Sequence, residues 1–106
     1  MAKIRWTEEA YRWLKDIYDY IALDNLEAAQ KVVYSICQKV QLLDQFPEAG
    51  YKYQNEPEAE IRILLYGHYR IAYLLKDKNK NKPSGSIQID ILGVFHSALD
   101  IDKYLF

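Results

Sequence analysis

The residues with the clearest chemical potential lie near the end of the chain. A strand-like run stops at His96, and Ser97 and Asp100 follow it closely. An imidazole acts as a general base when an oriented acid or nucleophile lies beside it. Side chains that are close in sequence rarely point at one another, so a Ser-His-Asp arrangement is not favoured here. We therefore interpret His96 as a hydrogen-bonding residue at a strand end or as a contact residue for a partner.

Metal and thiol chemistry have little support in the sequence. The other histidine, His68, falls in a predicted turn, so we expect neither a metal site nor a cofactor. The single cysteine, Cys37, lies in a helical apolar pattern, which predicts a small buried hydrophobic residue rather than a nucleophile. One cysteine cannot form a disulfide framework, and a reducing, cytoplasmic location fits this composition.

Length and charge exclude several classes of protein. The 106 residues suit a single domain over residues 1–106. A net charge of −1 argues against direct nucleic-acid binding, because proteins that grip phosphates carry an excess of Lys and Arg. Four lysines between positions 76 and 82 read as a solvated loop. No apolar run approaches the length of a membrane span.

The first half of the chain predicts a strand followed by a helical hairpin. Residues 3–6 form the strand, and Thr7 caps a helix over about 8–23. Asp24 and Glu27 resemble a capping box, which predicts a second helix over about 26–45. Because the link between the helices is so short, they should pack antiparallel.

The second half predicts antiparallel strands. Residues 47–60 read as a polar loop, and two strands then flank a tight turn at Gly67-His68. A third strand covers about 86–95, and Ser97 is positioned to cap a short C-terminal helix. The expected fold is α+β, with an N-terminal strand, a two-helix hairpin, a three-stranded antiparallel sheet and that final helix.

Alternation along the strands divides the sheet into two faces. We expect one face to pack on the helices, with Ile61, Ile63, Leu65, Tyr69, Ile71, Tyr73, Leu75, Ile87, Ile89 and Ile91. The opposite face should then carry Arg62, Leu64, Arg70, Ala72, Leu74, Gln88, Asp90, Leu92 and Val94. Two helices joined by a short turn cover one side of a sheet, so this second face is a candidate partner surface. The alternative is that the tail and the long loop cover it.

Several pieces of the chain, in this order, resemble the RelE/ParE superfamily of toxins from type II toxin–antitoxin modules. They are "FPEAG" (46–50), "YRIAY" (69–73) and "VFHSALD" (94–100). The resemblance covers nearly the whole chain and implies one of two mechanisms. RelE-like members cleave mRNA on the ribosome with a basic cleft, whereas ParE-like members poison DNA gyrase and lack that nuclease set.

The residues near the C-terminus favour the ParE-like branch. Arg70 keeps the strand arginine, but Leu99 stands where a nuclease would carry a basic group. The resemblance therefore implies a plasmid-stabilisation toxin that binds DNA gyrase and is neutralised by a cognate antitoxin, rather than an enzyme. We expect the partner or target surface to use Arg62, Leu64, Arg70, Leu74, Leu92, Val94 and His96.

Two alternatives remain open from sequence. A RelE-like mRNA endonuclease would use Arg70 to stabilise the phosphate and His96 or Tyr104 to assist proton transfer. An inactive, decayed toxin would explain the missing basic groups of the tail. The sequence leaves the target undecided, and a homodimer formed through the uncovered face is also possible.

Overall fold

The computed structural model describes residues 2–56, 59–77 and 87–97, and in it two helices lie against a five-stranded mixed sheet. The elements in chain order are β1 Lys3–Trp6, α1 Glu8–Ala22, α2 Leu26–Gln41, a 3₁₀ turn Leu42–Asp44, β2 Tyr51–Glu56, β3 Ala59–Tyr66, β4 Tyr69–Asp77 and β5 Ile87–His96. The sheet order is β1-β5-β4-β3-β2. The predicted α+β class and helical hairpin are confirmed, whereas the predicted C-terminal helix lies outside the described residues.

The N-terminal strand joins the main sheet, which the sequence did not reveal. β1 pairs in parallel with β5, so that Lys3 lies beside Gln88 and Trp6 beside Ile91. The other strand pairs are antiparallel. The expected three-stranded antiparallel sheet is therefore the centre of a larger mixed sheet.

The two helices begin at different kinds of cap. The Thr7 cap is confirmed: its Oγ1 accepts a hydrogen bond from the Ala10 amide at 3.1 Å and donates one to the Ile91 carbonyl at 2.7 Å. The capping box at Asp24 is wrong by one residue, because the Asn25 side chain accepts from the Ala28 amide instead. Asp and Asn are equally good caps, so composition alone does not separate them.

The second helix is shorter than expected. Regular α2 ends at Gln41 rather than near position 45, and the chain continues as the 3₁₀ turn. Pro47 limits how far helical structure could continue beyond this turn, because a proline disfavours helical geometry in the residue before it.

The region predicted as a polar loop contains a strand. Residues Tyr51–Glu56 form β2, which pairs antiparallel with β3 at the edge of the sheet. Most of its side chains are exposed, so it lacks the apolar alternation that marks a buried strand. Edge strands often carry such polar sequences.

The predicted orientation of β3 is wrong. The turn at Gly67-His68 sets Tyr66 opposite Tyr69, so Leu64 lies opposite Ile71 and shares its face. Ile61, Ile63 and Leu65 consequently lie opposite Leu74, Ala72 and Arg70, on the face turned away from the main core. A two-residue turn thus fixes which side chains of both strands face the main core.

A bulge changes the orientation of β5 halfway along. Ala72 pairs with Gly93 but Tyr73 pairs with Ile91, which leaves Leu92 as an additional residue. Val94 therefore packs in the main core, and Phe95 lies on the other face. The predicted placement of Val94 on the uncovered face is corrected by this shift.

The core consists of two clusters, one on each side of the sheet. The larger cluster joins both helices to the sheet, and it contains Ala10, Leu14, Ile36, Val40, Leu43, Leu64, Ile71, Tyr73, Leu75, Ile89, Ile91 and Val94. The smaller one contains Ile63, Ala72 and Phe95, with Trp13, Tyr53 and Leu92 packed against it. Cys37, expected in the core, is exposed on α2.

Candidate functional site

The face of the sheet turned away from the main core, called here the second face, is less open than its sequence suggested. Ile63 and Ala72 are completely buried there, and Phe95 is 1% exposed. Trp13 of α1 contacts the Phe95 ring edge to face at a centroid distance of 4.6 Å. The surface that remains for contacts is therefore concentrated at the two ends of the strands.

One end of the second face carries Arg70. Its register places it opposite Leu65 on β3 and Phe95 on β5. The Arg70 side chain is half-buried, and its Nη2 donates a hydrogen bond to the Ser97 carbonyl at 3.2 Å. Leu65 beside it is 56% exposed. A guanidinium and an exposed leucine side by side suit contact with a protein surface.

His96 lies at the same end of the sheet as Arg70 but on the other face. It pairs with Tyr69, whereas Arg70 pairs with Phe95, and neighbouring residues of a strand point to opposite faces. The His96 ring packs edge to face on Tyr69 at 5.8 Å and stacks near His68 at 6.2 Å. The structure therefore groups His96 with Tyr69 and His68, on the face of the sheet opposite to that of Arg70.

Arg62, predicted as a contact residue, clamps the loop that precedes β2. Its Nη1 donates to the carbonyls of Gly50 at 2.6 Å and Glu48 at 3.2 Å, and its Nε donates to Glu60 at 2.6 Å. The hydrogen bond from Arg62 lowers the pKa of the Glu60 carboxyl. With 13% of the side chain exposed, Arg62 belongs to the scaffold more than to the surface.

Tyr73 holds the same loop from the core. Its hydroxyl accepts from the Gly50 amide at 3.0 Å and donates to the Pro47 carbonyl at 2.7 Å. Burial raises the pKa of Tyr73, which keeps the proton that the second bond requires. Tyr73 and Arg62 oppose each other across β3 and β4, so both reach this loop from one face.

The predicted apolar floor of the surface divides between the two faces. Leu64 is 5% exposed and Val94 is fully buried, and both pack in the main core, so they are not part of the second face. Leu74 and Leu92 are half-buried, with Leu74 placed on the second face opposite Ile61 and Asp90. Tyr104 lies outside the described residues.

The opposite end of the second face carries a cluster that the sequence reasoning missed. Arg5 and Lys76 contact Asp90, and Lys3 lies opposite Gln88 on the same face; we call these three cations the basic cluster. Asp90 Oδ2 lies 3.2 Å from Arg5 Nη2 and 3.1 Å from Lys76 Nζ, and Gln88 donates to Oδ1 at 3.1 Å. The Asp90 side chain is only 4% exposed.

Electrostatics keep Asp90 charged in this position. Burial alone would raise its pKa, but the hydrogen bonds from Gln88, Lys76 and Arg5 outweigh burial and lower it. The alternation of Lys3 and Arg5 along the first strand was a usable signal. It became informative only when β1 was placed beside β5, because the parallel pairing brings Arg5 to Asp90.

Within residues 2–56, 59–77 and 87–97, no three side chains of His, Cys, Asp or Glu are grouped as a metal site would require. In the same part of the chain, no helix has the length and apolarity needed to cross a membrane.

Comparison with known proteins finds a family and a solved structure that resemble this chain. A family model described as the ParE toxin of the type II toxin–antitoxin system parDE matches residues 4–100. A solved structure described as the chromosomal ParDE TA system from P. aeruginosa is similar with a TM-score of 0.63 and 26% identity, covering 91% of this chain and 96% of that chain. No curated protein matches this chain significantly. This chain therefore belongs to the ParE toxins of type II toxin–antitoxin systems.

Proposed function

We propose that this ParE toxin acts in the cytoplasm by binding DNA gyrase and is neutralised by a cognate antitoxin that covers its contact surface. The observation that supports binding over RNA cleavage is the placement of Arg70 and His96 on opposite faces of the sheet. A nuclease must orient a 2′-hydroxyl and stabilise a phosphate with groups that converge on one site. Side chains that leave their strands on opposite faces are poorly placed to converge in this way.

The antitoxin contact is proposed for the second face and its rim. Arg70, exposed Leu65 and half-buried Leu74 and Leu92 supply a mixed polar and apolar surface. Such surfaces bind an extended strand or an amphipathic helix from a partner. The buried residues Leu64 and Val94 support this surface from the core side of the sheet.

Co-purification tests the partner. The chain, tagged and expressed together with the product of the neighbouring reading frame, should elute as a stable complex. Expression of the chain alone should arrest growth, and co-expression should restore it. A protein that forms no complex and leaves growth unchanged would be an inactive toxin.

Primer extension on translated mRNA tests the enzymatic alternative. If the chain binds rather than cleaves, its induction should produce no discrete cuts at the ribosomal A site. Arg70→Ala should weaken toxicity without abolishing it, because one contact among several is lost. Cuts that disappear in Arg70→Ala would replace this proposal with a RelE-like nuclease.

A further inference from the structure

The basic cluster holds two cations on one carboxylate oxygen. Arg5 Nη2 and Lys76 Nζ lie within 3.2 Å of Asp90 Oδ2, so Asp90 fixes them side by side. One carboxylate balances one of the two, which leaves a surplus positive charge at a defined position. The neighbouring residue Lys3 adds to this surplus.

The cluster is built across three strands and faces one direction. Lys3, Gln88 and Lys76 occupy one row of β1, β5 and β4, and Arg5, Asp90 and Leu74 occupy the next row on the same face. Lys3 and Lys76 are two strands apart, a separation of about 10 Å. These positions are fixed by sheet register rather than by a loop.

Donors of the cluster remain accessible from outside. The Arg5 side chain is 61% exposed, and its guanidinium has five N–H donors, of which the contact with Asp90 uses those on Nη2. Lys3 is exposed as well. The Asp90 carboxylate is almost fully buried beneath them, so a second anion approaches the cations from the solvent side.

The chemistry of this surface fits an acidic side chain of a protein better than a nucleic-acid backbone. Half-buried Leu74 lies opposite Asp90 on β4, one strand spacing or roughly 5 Å from it and two residues before Lys76, and it offers an apolar contact beside the cluster. Nucleic acids need a row of cations along many phosphates. The chain has a net charge of −1, and the outward side of α1 carries exposed carboxylates such as Asp16 and Asp19.

We propose that the basic cluster anchors an Asp or Glu of the antitoxin, whose adjacent apolar residue packs on Leu74. This inference rests on the proposed function, because it names the chemistry by which the antitoxin recognises this toxin. It places one specificity contact at the β1 end of the second face, distant along the strands from Arg70.

The test is the dissociation constant of the toxin–antitoxin complex for wild type, Lys3→Gln, Arg5→Gln and the double variant. The double variant should bind about tenfold more weakly, and the salt dependence of its affinity should be flatter. Lys31→Gln and Arg12→Gln, which remove exposed charges from the helices, should change affinity less than about twofold. Lys3→Gln leaves the Asp90 contacts in place and therefore separates recognition from folding.

Three outcomes would overturn the inference. An unchanged affinity in the double variant rejects the anchor but leaves the proposed function standing. Absence of any complex with the neighbouring product rejects both together. Binding of a 20-base-pair DNA duplex or a 20-nucleotide RNA by wild type, lost in the double variant, assigns the cluster to nucleic acid instead.

Discussion

Single residues in this toxin matter most where a largely buried polar group has several hydrogen-bond partners. Asp90, Arg62 and Tyr73 are three such cases, and each joins segments that are distant in sequence. The sequence predicted Arg62 and Asp90 on one exposed face, whereas Arg62 shares the main-core face of Tyr73 and Asp90 is buried on the second face. The sequence did not reveal their partners, because Arg62 bonds to the loop before β2 and the contact of Asp90 with Arg5 depends on the position of β1.

Asp90→Asn tests the buried carboxylate. The variant should lose about 2 kcal/mol of unfolding free energy at pH 7, because two cations lose their counter-charge while most hydrogen bonds persist. Urea denaturation measures this loss. Asp19→Asn, which removes the exposed partner of Lys15, should leave stability nearly unchanged.

The effect of Asp90 should depend on pH in one direction. Its pKa is lowered in the folded protein, so its contribution is complete above the ordinary aspartate value of about 3.9 and is lost as pH falls further. The stability difference between wild type and Asp90→Asn should therefore shrink as the pH falls below about 3.9. A difference that grows with acidification would show that the carboxylate is not stabilised by its cations.

Gly50→Ala tests close packing at the clamped loop. A Cβ at this position would lie 2.7 Å from the Ile63 carbonyl oxygen and 2.8 Å from the Tyr73 ring. We expect Gly50→Ala to lower the unfolding free energy by about 2–3 kcal/mol, because backbone atoms must move and the hydrogen bonds of Arg62 and Tyr73 to this loop are strained. The loss is measured as a fall in the urea midpoint of unfolding, with an unchanged dependence of the unfolding free energy on urea concentration.

Gly67→Ala provides the matched control for that substitution. Gly67 has a φ of +55°, and a Cβ added there would meet no atom within 4 Å, so the cost is conformational and about 1 kcal/mol. If Gly50→Ala were no more destabilising than Gly67→Ala, the loop would not be held as tightly as its contacts indicate.

At the scale of elements, both helices could be predicted, α1 more closely than α2, and the sheet only in part. Apolar spacing and Thr7 located α1 within one residue of its observed end. β2 could not be recognised, because an exposed edge strand such as "YKYQNE" carries no apolar alternation. The two-residue turn was enough to predict which side chains of β3 face the core. The bulge at Leu92 could not be predicted, because it is visible only in the pairing of β5 with β4.

Thr7→Ala tests the junction between β1, α1 and β5. Thr7 makes two hydrogen bonds, one to the helix and one to the Ile91 carbonyl, so its loss should cost about 2 kcal/mol. Asn25→Ala removes an exposed cap with one bond and should cost about 1 kcal/mol. Thermal or urea unfolding of both variants gives the comparison, and equal losses would show that the bond to β5 contributes little.

At the scale of the whole molecule, the fold class and the toxin family followed from the order of elements and from short stretches such as "YRIAY". The surface was predicted less well, because half of its proposed apolar residues belong to the core. What remains is a sheet with two core clusters, Arg70 at one end of the second face and the basic cluster at the other. In this layout Arg70 and His96 leave their strands on opposite faces of the sheet.

The proposal that this toxin acts by binding DNA gyrase is tested most directly by a supercoiling assay with the purified toxin. Supercoiling should be inhibited at toxin concentrations comparable to that of gyrase, and prior addition of the antitoxin should prevent the inhibition. Normal supercoiling at a large excess of toxin, together with mRNA cuts that require both Arg70 and His96, would contradict the central claim that this protein acts by binding.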